Sequence, residues 1–125
     1  MARKLIIILA TADPHSDEAL GAPLFQASVA ASMGHEVEVI CMGAAAAILK
    51  NGVAETIRIK AAETRSIYDF IKEAHAGGVR FHCFSTGLDA CAMHKNDLIE
   101  ECSGVIGAAH FVSEVMGSDC RVLTY

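Results

Sequence analysis

Continuous apolar runs and amphipathic stretches follow one another along the chain. The run Lys4–Leu9 is rich in β-branched residues and has the unbroken apolarity of a strand buried on both faces. The next segment predicts a helix from Ser16, its N-cap, to about Met33, with Gly34 just past its C-terminus. Because Pro23 falls inside this stretch, the helix is either kinked or restarts there with proline in its first turn.

The same alternation continues to the end of the printed sequence. Ser66 and Asp69 have the spacing of a capping box, and an amphipathic helix follows them. The other predicted strands are Glu36–Met42, Thr56–Ile59, Val79–Ser85 and Arg121–Thr124. The other predicted helices are a short Ala-rich helix from Gly43 to Asn51, Asp97–Cys102 with Asn96 as its cap, and Ala108–Met116. The segment Thr86–His94 is a loop or a short helix. Alternating strands and helices predict an α/β fold, a parallel sheet with helices on both faces.

Composition agrees with this pattern. The 125 residues suit a single domain, residues 1–125, with one hydrophobic core. Hydrophobic residues make up 53% of the chain and aromatic residues only 6%. We therefore expect a core of Ala, Val, Ile and Leu, which suits a parallel sheet covered by helices.

Charge and cysteine content narrow the function classes. The net charge of −5, without any basic run, argues against a nucleic-acid or membrane-surface partner. The apolar run Leu5–Ala10 is too short for a signal sequence or a transmembrane span, so we expect a cytoplasmic protein with no membrane insertion. Five cysteines without a CxxC pair indicate reduced thiols rather than a disulfide framework.

Candidate chemistry gathers after the predicted strand Val79–Ser85. In parallel sheets, ligands and reactive groups collect at the carboxyl ends of strands, and Cys83 lies near that end. The N-terminus of the next segment would stabilise a thiolate there, and His94 and Lys95 could add positive charge. Side-chain alternation points His82 to the opposite face.

Other interpretations of the cysteines remain open. A cysteine in an apolar strand usually packs in the core, and we expect this of Cys41, Cys102 and Cys120. Cys91 is either a resolving thiol or a packing residue. The spacing of Cys83, Cys91 and His94 also permits a zinc site, although structural zinc sites usually show two closely spaced ligand pairs.

The order of short motifs resembles the DsrE/DsrF-like family of sulfur-relay proteins over nearly the whole chain. The matching segments are Asp13-Pro14, Glu18-Ala19-Leu20, Pro23-Leu24-Phe25, Met33-Gly34-His35-Glu36-Val37, Met42-Gly43, Leu49 through Gly52, Asp97-Leu98-Ile99-Glu100 and Val105-Ile106-Gly107-Ala108-Ala109. The resemblance implies a three-layer α/β/α fold with a five-stranded, mainly parallel sheet. It also implies a homo-oligomer: a dimer, trimer or hexamer.

By position, the family's sulfur-accepting cysteine falls on Cys83. The resemblance implies that Cys83 takes sulfane sulfur from a donor protein as a persulfide and passes it to an acceptor protein, without a cofactor or a metal. Cys91, His94 and Ser85 are candidate accessory residues; the chain departs from the family pattern after Cys83, because Ser85-Thr86-Gly87 stands where relatives often have methionines. Some relatives lack the cysteine, so the alternative is a non-catalytic binding or assembly subunit.

Overall fold

The computed structural model describes residues 3–13, 17–58 and 64–125. The predicted N-cap Ser16 and the predicted strand residue Ile59 lie outside these ranges.

Five parallel strands form one sheet, which confirms the α/β fold. The strands are β1 (Lys4–Leu9), β2 (Glu36–Cys41), β3 (Arg80–Phe84), β4 (Cys102–Ile106) and β5 (Cys120–Thr124), in the spatial order β4-β3-β2-β1-β5. The α-helices are α1 (Asp17–Ser32), α2 (Ile67–Ala76), α3 (Ser85–Ala90) and α4 (Ala108–Val115); 3₁₀ helices span Gly43–Leu49, Ala54–Thr56 and Lys95–Asp97.

The helices divide between the two faces of the sheet. On the first face, α1 and α2 pack on the larger core cluster, which contains Leu20, Ile71 and the strand residue Val39. On the second face, Phe111 and Val115 of α4 pack on a smaller cluster. This division follows from the strand order. From β1 to β4 each new strand is added on the same side of the previous one, and only β5 is added on the other side of β1, so its connection covers the opposite face of the sheet.

Three local predictions about helices are decided by the structure. The capping box is confirmed: the amide of Asp69 donates to Ser66 Oγ at 3.2 Å, and the amide of Ser66 donates to Asp69 Oδ2 at 2.9 Å. α1 continues through Pro23, so a restart of the helix at that residue is wrong. The Ala-rich segment is helical as predicted, but it forms a 3₁₀ helix over Gly43–Leu49.

The predicted strand Thr56–Ile59 is wrong in its described part. Thr56 ends a 3₁₀ helix, and Arg58 makes only an isolated antiparallel bridge with Ser66. The isolated bridge beside the start of α2 meets the hydrogen-bonding needs of the backbone at Arg58, so this segment does not join the sheet.

The predicted helix Asp97–Cys102 is also wrong. Its start belongs to the 3₁₀ helix Lys95–Asp97, Leu98 bridges Lys50, and Cys102 begins β4. Pairing with β3 decides the conformation, because a six-residue helix has little stability of its own. Gly104, at φ +150°, makes this strand hard to predict from the sequence, because glycine is uncommon in strand interiors.

Candidate functional site

Cys83 lies at the carboxyl end of β3, as predicted. Cα pairing places it beside Cys41 of β2 and Val105 of β4. Its side chain belongs to the core of the first face and has no solvent exposure. The expected position is therefore correct, but the thiol is enclosed.

The cover over this thiol is α3, which begins two residues after Cys83. Gly87, a buried residue of α3, lies so close that a Cβ on it would be 3.4 Å from Cys83 Sγ. The same Cβ would be 2.8 Å from the Cβ of Ala46, in the 3₁₀ helix after β2. Since only glycine fits at this crossing, α3 can fold back directly over the sulfur.

Enclosure raises the pKa of Cys83 to about 11, through burial first and then through the neighbouring thiols of Cys102 and Cys91. The Cys83 thiol also donates to the carbonyl of Phe84 at 3.5 Å, a contact that requires its proton. An exposed thiolate with a low pKa, which the sulfur transfer implied by the family resemblance needs, is thus not the state of this conformation. The effect of burial on the pKa outweighs any stabilisation of the thiolate by the N-terminus of the short helix α3, because a thiolate loses its hydration in an apolar enclosure.

Cys91 lies at the other end of α3 and is half-buried. Its Sγ is 3.4 Å from the carbonyl oxygen of Gly43 and 3.8 Å from that of Ala44, so it contacts the start of the 3₁₀ helix that follows β2. Two thiols therefore flank α3: an enclosed one before the helix and a partly exposed one after it.

The other cysteines follow the packing prediction only in part. Cys41 is fully buried in the core, and burial raises its pKa well above the ordinary value. Cys102 and Cys120 are half-buried, and Cys102 begins a strand rather than lying on a helix. Their thiols have raised pKa values, with burial as the largest cause.

The remaining candidates, Ser85 and His94, both lie at exposed positions. Ser85 begins α3, and the backbone amide of His94 donates to Asp97 Oδ2 at 2.8 Å. Within the described ranges, no three His, Cys, Asp or Glu side chains are grouped so that they could hold a metal. The structure therefore does not group Cys83, Cys91 and His94 as a zinc site would require.

A buried charge cluster on the second face was missed by the sequence analysis. Glu38 of β2 is 1% exposed, and its Oε2 lies 2.7 Å from His82 Nδ1. Lys4 Nζ lies 3.9 Å from Glu38 Oε1 and 2.5 Å from Glu114 Oε2 on α4. The cluster thus links three adjacent strands to the helix above them.

The charges around Glu38 determine its ionisation. Burial is the largest single effect and raises its pKa, but His82, Lys4 and Arg80 together outweigh burial, so that the pKa is lowered overall. Glu38 Oε1 is buried and makes no hydrogen bond with the described residues. The available clue in the sequence was a carboxylate between Val37 and Val39, in a strand of a sheet predicted to have helices on both faces.

No helix among the described residues has the length and apolarity needed to cross a membrane.

Comparisons with known proteins agree on the fold and the family. Among curated protein sequences, none matches this chain. The YchN protein of Escherichia coli has a similar crystal structure, with a TM-score of 0.77 and 18% identity, covering 100% of both chains. A protein of unknown function from Methanobacterium thermoautotrophicum has a TM-score of 0.65 and 16% identity, covering 98% of this chain and 99% of its own. The model of the DsrE/DsrF-like family matches residues 4–125. With nearly every residue covered by that model, the chain belongs to the DsrE/DsrF-like family.

Proposed function

We propose that this protein is a sulfur carrier that accepts sulfane sulfur on Cys83 and passes it to a partner protein. The observation that carries the proposal is the position of Cys83 at the carboxyl end of a central strand, under one short helix. Reactive groups of parallel α/β sheets collect at this edge. Membership of a family generally related to sulfur relay supports the same chemistry.

The transfer balances without an oxidant or a cofactor. The Cys83 thiol first loses its proton to solvent, and the thiolate attacks the terminal sulfur of a donor persulfide. The donor's sulfur–sulfur bond breaks, the donor leaves as a thiolate, and Cys83 becomes a persulfide. Attack by an acceptor thiolate on the terminal sulfur of Cys83 then regenerates the Cys83 thiolate.

This chemistry requires the cover to open, because a thiol with a pKa of about 11 is ionised in roughly one molecule in ten thousand at pH 7. α3 is suited to open: it has six residues, and four of them, Ser85, Thr86, Asp89 and Ala90, are exposed. We propose that docking of a donor protein displaces α3. Cys91 then serves as an accessory thiol beside the opened site, with Ser85 and His94 at its exposed surface.

Sulfur loading of the full-length protein tests this proposal. The protein is incubated at neutral pH with a donor protein that carries a cysteine persulfide, and its intact mass is measured before and after treatment with a reductant. We expect a reducible gain of one sulfur atom that is lost in Cys83→Ser and kept in Cys120→Ser, the control at a half-buried thiol on the second face. No gain of sulfur, or an equal gain in Cys83→Ser, would contradict the proposal.

Burial of Cys83 also favours a second candidate, a non-catalytic assembly subunit. Three large apolar side chains are exposed at four-residue spacing: Phe25 and Val29 on α1, and Met33 directly after its last residue. Residues at this spacing share one helix face, and a second copy of the chain would cover it. In this candidate Cys83 gains no sulfur, so the loading experiment separates the two functions.

We propose a homo-oligomer in either case, and a cytoplasmic location. All five cysteines are free, as expected in a reducing compartment.

A further inference from the structure

The cysteines are concentrated on one face of the sheet. All five lie within the described residues, and four of them, Cys41, Cys83, Cys91 and Cys102, belong to the larger core cluster or pack against it. The fifth, Cys120, packs on the second face. Since Cys83 is enclosed, sulfur held on it needs an exit to an acceptor, and a neighbouring thiol that is partly exposed would supply one.

Cys102, the first residue of β4, lies beside Cys83. Cα pairing places it opposite Phe81, two positions before Cys83, and both of these side chains belong to the first-face core. One residue of β4 is extra at this point, since Cys102 pairs with Phe81 but Gly104 pairs with the next residue of β3. Such an irregularity redirects a side chain, and Cys102 Sγ lies 3.4 Å from the carbonyl oxygen of Gly104.

The contacts of the Cys102 thiol connect it to Cys83. Burial raises the pKa of Cys102, while backbone hydrogen bonds from Gly104 and from Cys83 itself act in the opposite direction. Hydrogen bonds of this kind stabilise a thiolate. The two sulfur atoms are also near enough to interact, because Cys102 is the largest cause of the raised pKa of Cys83 after burial.

Cys102 differs from Cys83 in its access to solvent. It is half-buried on β4, an edge strand of the sheet, whereas Cys83 lies on β3, between β4 and β2 and under α3. Because β4 is paired with β3, displacement of α3 leaves Cys102 beside Cys83. Cys91 directly follows α3 and would move with it.

We propose that Cys102 takes the sulfane sulfur from Cys83 and presents it to the acceptor at the edge of β4. This inference rests on the sulfur-carrier proposal and adds an exit that is separate from the entry under α3. The acceptor is a protein with a cysteine thiol that docks against the edge of β4, so it does not need to displace α3 again.

The internal transfer conserves atoms and electrons. The Cys102 thiol loses its proton to solvent, and its thiolate attacks the terminal sulfur of the Cys83 persulfide. The bond between that sulfur and Cys83 Sγ breaks, a bond to Cys102 Sγ forms, and Cys83 leaves as a thiolate that takes up a proton. The step needs no oxidant or reductant, because the sulfane sulfur only changes its carrier.

Mapping and discharge of the sulfur test this route in the full-length protein. A donor protein that carries a cysteine persulfide loads the chain, the donor is removed, and the loaded chain is mixed with glutathione. Samples taken over time are denatured in excess iodoacetamide, and peptide mass spectrometry locates the sulfur. We expect sulfur on both Cys83 and Cys102, and its discharge as glutathione persulfide, because glutathione reaches the half-buried Cys102.

Two variants identify the thiol that releases the sulfur. In Cys102→Ser the sulfur should remain on Cys83, and its discharge to glutathione should slow because α3 covers that thiol. Cys120→Ser is the matched control and should load and discharge like the parent protein. Cys120 is also half-buried and also begins an edge strand, but it lies on the second face.

Several outcomes overturn the inference while the sulfur-carrier proposal stands. These are sulfur on Cys83 but never on Cys102 in the parent protein, sulfur on Cys91 in place of Cys102, and discharge from Cys102→Ser that is as fast as from the parent protein or slowed no more than from Cys120→Ser. The location of sulfur is read in the parent protein, so it does not depend on the stability of a variant. A chain that gains no sulfur on any cysteine overturns both proposals.

Discussion

Gly87 and Ala46 pack so closely that a Cβ on Gly87 would lie only 2.8 Å from the Cβ of Ala46. Gly87 belongs to α3 and Ala46 to the 3₁₀ helix after β2, so this contact closes the cover over Cys83. Access to the thiol therefore depends on the space between two small residues.

Replacing Gly87 with alanine should loosen the cover. The added methyl group must displace α3 or the 3₁₀ helix, which we expect to cost about 1–3 kcal/mol in the free energy of unfolding. Displacement of α3 should also expose Cys83, so that its alkylation rate rises. Urea unfolding and mass spectrometry of iodoacetamide-treated protein measure the two effects.

Two controls accompany this variant. Gly107→Ala places a methyl group where no atom lies within 4 Å, and it should leave the Cys83 alkylation rate unchanged. Gly87→Ala combined with Ala46→Gly removes the clash and should restore slow alkylation. If Gly87→Ala labels as slowly as the parent protein, α3 is not the barrier to the thiol.

The alkylation of Cys83 should depend strongly on pH. With its pKa raised to about 11 by burial and neighbouring thiols, the rate should rise about tenfold per pH unit up to that value. Since the pKa in the unfolded chain is about 8.5, Cys83 should destabilise the fold as pH rises from there to about 11. Cysteine-specific labelling across this range tests the ionisation, and a plateau near neutrality contradicts it.

Removing the charge of Glu38 should destabilise the protein. Glu38→Gln removes the buried carboxylate that lies beside His82 and Lys4, and the loss of one partner from a buried pair costs about 3 kcal/mol. Glu36→Gln is the matched control, because this exposed residue two positions earlier pairs with exposed Arg80 and should contribute less than about 1 kcal/mol. Chemical unfolding at neutral pH compares the two variants, and equal losses would contradict the assigned role of Glu38.

The same carboxylate should make stability sensitive to acid. Its pKa in the fold is lowered, so its ionisation stabilises the protein above the unfolded-chain value of about 4.3. This contribution is lost as pH falls from that value through the lower folded pKa. Glu38→Gln should therefore lose less stability than the parent protein below about pH 4, as measured by thermal unfolding.

The exposed apolar stripe on α1 should hold the proposed oligomer together. We expect the parent protein to be an oligomer. Val29→Lys would bury a charge in the proposed interface, and this variant should therefore dissociate. Val112→Lys changes an exposed valine on α4 and should leave the oligomer intact. Light scattering after size-exclusion chromatography gives the masses, and a monomeric parent protein, or an oligomer unaffected by Val29→Lys, contradicts the assignment.

The sequence by itself determined the elements that have strong local patterns. The apolar run of β1 defines a strand buried on both faces, and Val37, Val39 and Cys41 at alternate positions define β2. The Ser66–Asp69 spacing located the start of α2, because a capping box is formed by residues three positions apart. The position of Cys83 at the carboxyl end of a strand was determined in the same way.

Only the tertiary structure decided the remaining features, because they depend on partners distant in the chain. β4 is a strand because β3 pairs with it, despite Gly104, while Thr56 and Arg58 remain outside the sheet. Enclosure of Cys83 depends on the contact between Gly87 and Ala46, which are 41 positions apart by their numbers. Glu38 and His82 meet because neighbouring strands place them on one face, and no local pattern encodes that register.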